Sequence, residues 1–120
     1  MVNPSEFLKQ RSHITIAVVD ASGRPWAVTV KLQKYKNGTV EWFSKTDSVH
    51  SQAIAINGEI AVSAFTTKAN PEGEYGIFTH AKAQKALAIP GGVALYKAKI
   101  YEAWYNDENH IKTKIDIKEL

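Results

Sequence analysis

The reactive groups of this chain gather at one place, where Ser44, Lys45 and Ser48 stand ahead of a helical stretch at residues 48–56. Two hydroxyls, an ammonium group and the free amides of a helix start together make a pocket for an anion. The same residues also fit a plain structural role, in which Ser48 or Asp47 caps the helix and Lys45 is solvated. Spacing alone leaves both roles open. Elsewhere the chemistry is dispersed. His13, His50, His80 and His110 occur one by one, without the spacing of a preformed metal site such as His-Glu-x-x-His. There is no cysteine, which excludes a thiolate nucleophile, thiolate zinc and iron–sulfur sites, and a disulfide scaffold. The sequence contains no Gly-x-Ser-x-Gly elbow, Walker loop or Gly-x-Gly-x-x-Gly fingerprint, so acyl-transfer, P-loop and Rossmann chemistry find no support.

The elements that must position these groups are mostly strands. Asn3, Pro4 and Glu6 open a short helix carrying Phe7 and Leu8, which fades by Ser12. Residues 13–19 are rich in β-branched side chains and read as a strand, followed by a turn at Asp20-Ala21-Ser22-Gly23. Trp26, Val28, Val30 and Leu32 then alternate with Ala27, Thr29, Lys31 and Gln33, the pattern of a half-buried strand. Asn37-Gly38 signals a hairpin. Its return strand covers residues 39–44, so the stretch reads as two paired strands, the second running straight into the helix. In that helix Val49, Ala53 and Ile56 share a face, and Asn57-Gly58 ends it. Residues 59–66 read as a strand with Ile60, Val62 and Ala64 on one side. Residues 75–87 and 93–105 are long extended segments separated by Pro90-Gly91-Gly92. Beyond a turn at 106–109, Ile111, Ile115 and Ile117 alternate with polar residues. About seven strands and two short helices joined by tight turns indicate an antiparallel barrel or sandwich in a single domain spanning 1–120.

Composition narrows the function classes. Of 120 residues, 44% are apolar and 22% charged, ordinary values for a folded globular domain that needs no disulfide or metal staple. Fifteen basic against twelve acidic residues leave a net charge of +3, and only Arg11 and Arg24 are arginines. That balance tolerates an anionic ligand but argues against nucleic acid as a partner. No apolar run reaches the length of roughly 18 residues that a membrane span requires, and the first residues lack the pattern of a secretory signal. The expectation is a soluble, cytoplasmic protein without a membrane partner.

Several local patterns, in this order, carry a resemblance. They are Gly23-x-Pro25 before a strand, Trp42-Phe43-Ser44 at a strand end and Ser48-x-His50 at a helix start. Further on come Ile60-Ala61-Val62-Ser63-Ala64-Phe65 and Ala81-Lys82-Ala83. Across roughly residues 3–105 the chain resembles the pyridoxamine 5'-phosphate oxidase-like split-barrel flavoproteins, and among them the small general-stress-protein-like branch. The resemblance implies a mainly β fold, an antiparallel six-stranded split barrel with short helices, assembled as a homodimer with FMN at the subunit interface. It places Ala27, Val28 and Thr29 along the isoalloxazine ring, with Thr29 and Lys31 pointing out of the barrel toward the interface. Phe43 and Ser44 would lie beside the ribityl chain and phosphate, and Ser48 and His50 would hold that phosphate. Trp104, with its neighbours Tyr101 and Tyr105, would close the barrel, pack the dimer interface or cover the flavin from the partner subunit.

The chain departs from the family pattern where the phosphate is gripped. Val49 and His50 stand in place of an arginine and a lysine, and each permanent cation lost removes a charge-assisted bond worth roughly 1.5–3 kcal/mol. Lys31 and Lys45 offset part of that loss. The C-terminal substrate-binding residues of true pyridoxamine-phosphate oxidases have no counterpart, so vitamin B6 oxidation is not expected. What the resemblance implies is a flavoprotein, an oxidoreductase with a small-molecule substrate, in which the cofactor supplies the reactivity. The alternative is a non-catalytic or differently loaded barrel holding a deazaflavin (F420) or haem. Trp26 and Trp42, on apolar faces, are expected in the core, and His80 and Lys82 on a solvated face.

Overall fold

The computed structural model describes residues 2–120. Eight antiparallel strands lie in one sheet: β1 (His13–Val19), β2 (Pro25–Lys31), β3 (Lys34–Lys36), β4 (Thr39–Lys45), β5 (Glu59–Thr66), β6 (Tyr75–Ile89), β7 (Val93–Asp107) and β8 (Thr113–Ile115). Their order is β2-β1-β5-β6-β7-β4-β3, with β8 added to β7. Two helices accompany them, α1 (Pro4–Lys9) and α2 (Val49–Ile56), and the chain ends in a 3-10 turn at Ile117–Glu119. The sheet curls until its ends meet. β2 packs against β4 to close the curl, and Gln33 N–H donates to the Glu41 carbonyl at 2.8 Å, extending the β3–β4 ladder. The result is a mainly β, split-barrel-like fold. No helix among the described residues is long and apolar enough to cross a membrane.

Local chemistry accounts for most of these elements. Asn3 accepts a hydrogen bond from the Glu6 amide and Pro4 starts α1, which seals one end of the barrel with the buried side chains of Phe7 and Leu8. The Asn37-Gly38 turn has φ of 49° and 78°, the doubly left-handed geometry that joins a tight hairpin. Alternation then sorts the faces. Ile14, Ile16 and Val18 of β1, Val40 and Trp42 of β4, and Ile60, Val62 and Ala64 of β5 all point into one core.

Four features depart from the sequence reading. The pairing partner of β2 is β1, in register from His13 with Lys31 to Val19 with Pro25, rather than the strand after Asn37-Gly38. The Asp20–Gly23 turn brings the chain straight back, with the Asp20 carboxylate accepting from the Ser22 and Arg24 amides. The hairpin ladder is therefore only the three-residue β3 on β4. Trp26 is not a core residue: it faces the same side as Val18, but its end of the edge strand is uncovered and leaves it 45% exposed. Trp42 is fully buried as expected. In α2 the buried face is His50, Ser51, Ala53 and Ile54, whereas Val49 and Ile56 are exposed. The helix packs against β1, β2 and β6 through a mixed face, with Ala53 and Ile54 in the core and His50 and Ser51 buried beside them. At the C-terminus only Ile115 lies in a strand and is buried. Ile111 and Ile117 lie outside β8, which spans three residues.

Candidate functional site

The β4–α2 junction brings together three of the residues singled out in the sequence. Ser44 leaves β4 with its hydroxyl 2.9 Å from His50 Nε2, and the Ser48 hydroxyl lies 3.4 Å from the same nitrogen. Ser48 is the N-cap: it accepts from the Ser51 amide at 3.2 Å, donates to the Lys45 carbonyl at 2.9 Å and sits 2.7 Å from the Ser51 hydroxyl. The junction is thus largely satisfied by its own bonds. His50 is buried, and desolvation pushes its imidazole below the usual value of 6.5, so it is neutral at neutral pH. Lys45 and Lys31 are exposed, and among the described residues neither forms an ion pair.

The burial of neutral His50 has a measurable consequence. The unfolded chain binds a proton that folded His50 resists, so its contribution is fully present above the unfolded value. That contribution falls as pH drops from about 6.5 toward the lowered folded value. Urea midpoints of the wild type therefore decline more between about pH 7.5 and pH 5 than those of His50→Asn, which keeps a polar partner for Ser44 but does not titrate. Equal slopes for the two proteins would refute the desolvated histidine.

A second group forms a shelf on the outer face of the sheet. Ala27, Thr29 and Lys31 point outward from β2, while Val28 lies on the opposite, core-facing side with Val30 and so cannot share a ring contact with Ala27 and Thr29. Strand register continues the shelf with small residues. Thr29 stands opposite Thr15 and Thr15 opposite Ser63, while Ala27 stands opposite Ala17 and Ala17 opposite Ala61. One end of the shelf opens into a groove of about 560 Å³ reaching Thr15, Thr29, Ser63 and Phe65, walled by the paired Arg11 and Glu72. The local pattern held no signal for this groove, because Arg11 and Glu72 meet across 61 residues.

Two remaining candidates lie apart. Phe43 is exposed on the outer face of β4, in register with Leu95 of β7, which in turn opposes the exposed Leu87 of β6. Trp104 shares the row of Thr29 but four strands away, through Thr15, Ser63 and Phe78, about 19 Å at ordinary strand spacing. Within one chain Trp104 does not touch the shelf. The aromatic run at 101–105 divides: Tyr105 packs on the core side and stacks on Tyr75 at 5.4 Å, while Tyr101 and Trp104 stand outside. His80 and Lys82, expected on a solvated face, are indeed exposed, but His80 is not isolated. Its Nδ1 lies 2.8 Å from the Glu102 carboxylate, a pairing across 22 residues that spacing does not reveal.

Comparison with known proteins agrees with this architecture. No protein-family model matches the chain. A stretch of 58 residues is 34% identical to the pyridoxine/pyridoxamine 5'-phosphate oxidase of Shewanella sediminis (strain HAW-EB3), covering 48% of this chain and 27% of that protein. The match thus spans about a quarter of the relative's length. Among solved structures, a protein of Clostridium acetobutylicum related to general stress protein 26, of the pyridoxinephosphate oxidase family, superposes with a TM-score of 0.75. That alignment covers 95% of this chain and 92% of the other at 9% identity. A haem-binding protein of Mycobacterium smegmatis gives 0.79 over 96% of this chain and 56% of that one, also at 9% identity. An FAD-binding protein of Mesorhizobium loti gives 0.70 over 83% and 88%, at 11% identity. The chain therefore has the fold of the pyridoxamine 5'-phosphate oxidase-like split-barrel proteins, and the matched stretch is similar to one of them in sequence.

Proposed function

We propose that this protein binds FMN between two copies of the barrel and acts in the cytoplasm as an oxidoreductase on a small molecule. The observation that carries the reading is the shelf. Its side chains of Ala27, Thr29, Thr15, Ala17, Ala61 and Ser63 are short enough for a flat ring to approach the sheet closely, with two threonine hydroxyls available to the ring's polar edge. Exposed Phe65 and Phe78, on the same outer face as the shelf, give a second copy apolar surface to cover. The flavin-binding neighbour and the matched oxidase stretch support the same class of ligand. A bound flavin supplies the redox chemistry; the chain's own residues bind it, orient it and exclude water.

The test is titration with FMN, read by flavin absorbance and tryptophan fluorescence. Wild type binds. Thr29→Trp fills the shelf from an exposed strand position and lowers affinity at least about 30-fold, equivalent to roughly 2 kcal/mol. Lys45→Ala removes one cation near the junction and weakens binding about 3- to 10-fold. No response in wild type, or equal affinity for Thr29→Trp, overturns the reading.

A second reading is haem in place of flavin. It is favoured by the junction: with Val49 on the helix, His50 neutral and the serine hydroxyls bonded to one another, a phosphate finds no fixed cation among these residues. The haem-binding neighbour shares the fold over nearly the whole of this chain. Haem needs no phosphate site.

A further inference from the structure

The groove of about 560 Å³ at the end of the shelf has a charged wall whose two members come from distant parts of the chain. Arg11 follows α1, and Glu72 sits on the Asn70–Gly73 turn between β5 and β6, closed by the Gly73 amide on the Asn70 carbonyl at 2.9 Å. Both side chains are largely buried, at 13% and 18% exposed, which strengthens the hydrogen bonds they make.

The guanidinium is locked in place. Its Nε donates to the Phe7 carbonyl at 3.0 Å, its Cζ lies 4.4 Å from the centre of the Phe7 ring, and Nη2 donates to Glu72 Oε2. Arginine and carboxylate can join through two parallel bonds, but here a single nitrogen and a single oxygen carry the contact. Among the described residues Nη1 has no acceptor and Glu72 Oε1 has no donor. The wall therefore offers one unmet donor group and one unmet acceptor within a pair whose net charge is zero.

That pattern selects a ligand chemistry. An anion satisfies Nη1 but meets the carboxylate of Glu72, and a cation satisfies Oε1 but meets the guanidinium of Arg11. A neutral group with an acceptor beside a donor satisfies both, and primary carboxamides and lactams have that edge. The remainder of the groove suits a flat molecule. The short side chains of Thr15, Thr29 and Ser63 line it, and the largely exposed Phe65 ring stands beside them.

We propose that this groove binds a small planar molecule by a carboxamide or lactam edge, the carbonyl accepting from Arg11 Nη1 and the N–H donating to Glu72 Oε1. Thr15, Thr29 and Ser63 belong to both groove and shelf, so the molecule lies at the end of the flavin seat. Its role as the substrate rests on the flavin reading above; its binding does not.

The experiment is titration of the full chain with nicotinamide, nicotinate and methyl nicotinate, read by amide chemical shifts. The three probes share a ring and differ only at the edge. Nicotinamide binds and moves the signals of Thr15, Thr29, Ser63 and Phe65. Nicotinate, an anion without a donor, and methyl nicotinate, neutral without a donor, each bind at least about tenfold more weakly. Glu72→Gln keeps an acceptor but removes the charge, so the gap between nicotinamide and nicotinate narrows at least about threefold. Nicotinate as tight as nicotinamide in the wild type marks an ordinary anion site and overturns the proposal, as does the absence of shifts in the groove. These wild-type comparisons decide even where Glu72→Gln loosens the turn. FMN titration is read separately. A chain that binds FMN but not nicotinamide keeps the flavin reading and loses this site. A chain that binds nicotinamide but not FMN keeps the site and loses both the flavin reading and the substrate role. Competition between FMN and nicotinamide would put both in one seat and overturn the second site.

Discussion

Trp42→Ala lowers the unfolding free energy by about 3–5 kcal/mol in urea denaturation, a large part of the roughly 5–15 kcal/mol that holds a domain of this size. Trp42 is fully buried in β4 and lies opposite Tyr96 of β7, the two rings stacked at 6.0 Å. Truncation removes the largest fully buried side chain of the core and leaves a cavity that the surrounding strands cannot close. Trp42→Phe is far milder, about 1–2 kcal/mol. The indole Nε1 is buried without a hydrogen-bond partner, so replacing it also relieves an unmet donor, a penalty of about 1–3 kcal/mol. Phenylalanine as damaging as alanine would show that the N–H contributes a bond of its own. The site senses the same change, because Phe43, Ser44 and Lys45 continue the strand that Trp42 anchors.

Gly58→Ala costs about 2–3 kcal/mol by the same measurement. A Cβ at residue 58 would stand 2.4 Å from the Ala83 carbonyl oxygen, a backbone atom of β6 that cannot swing aside. The approach is close because the Ala83 amide donates to the Gly58 carbonyl at 2.8 Å, fixing the link between the end of α2 and the start of β5. Relief of the clash has to move α2 or β6, so amide exchange in α2 accelerates together with the loss of stability. An alanine variant with wild-type stability and exchange would mean that the two backbones are not held this tightly.

These two positions also show what could and could not be read from residue order. Asn57-Gly58 is legible as a helix stop, and Trp42 as a core residue from alternation. The strand at residues 59–66, the caps at Asn3 and Ser48 and the Asn37-Gly38 turn are legible for the same reason. Each depends on chemistry within a few residues of itself. The order of such patterns was also enough to point to the split-barrel family.

Tertiary structure alone decided which faces are covered. Alternation puts Trp26 on the side of Val18 and Val30, but whether that side meets a core depends on where the edge of the sheet falls. Val49 and Ile56 are apolar yet face out, because α2 docks through the face of His50, Ser51, Ala53 and Ile54. The groove behind Arg11 and Glu72 and the pairing of His80 with Glu102 join residues 61 and 22 positions apart. The second contact is a direct cross-strand pair, and the register of β6 on β7 shifts by one residue just beyond it. Local sequence encodes the period of a strand. The neighbour it pairs with, and the residue at which a bulge shifts the register, emerge only from the free energy of the whole packed sheet.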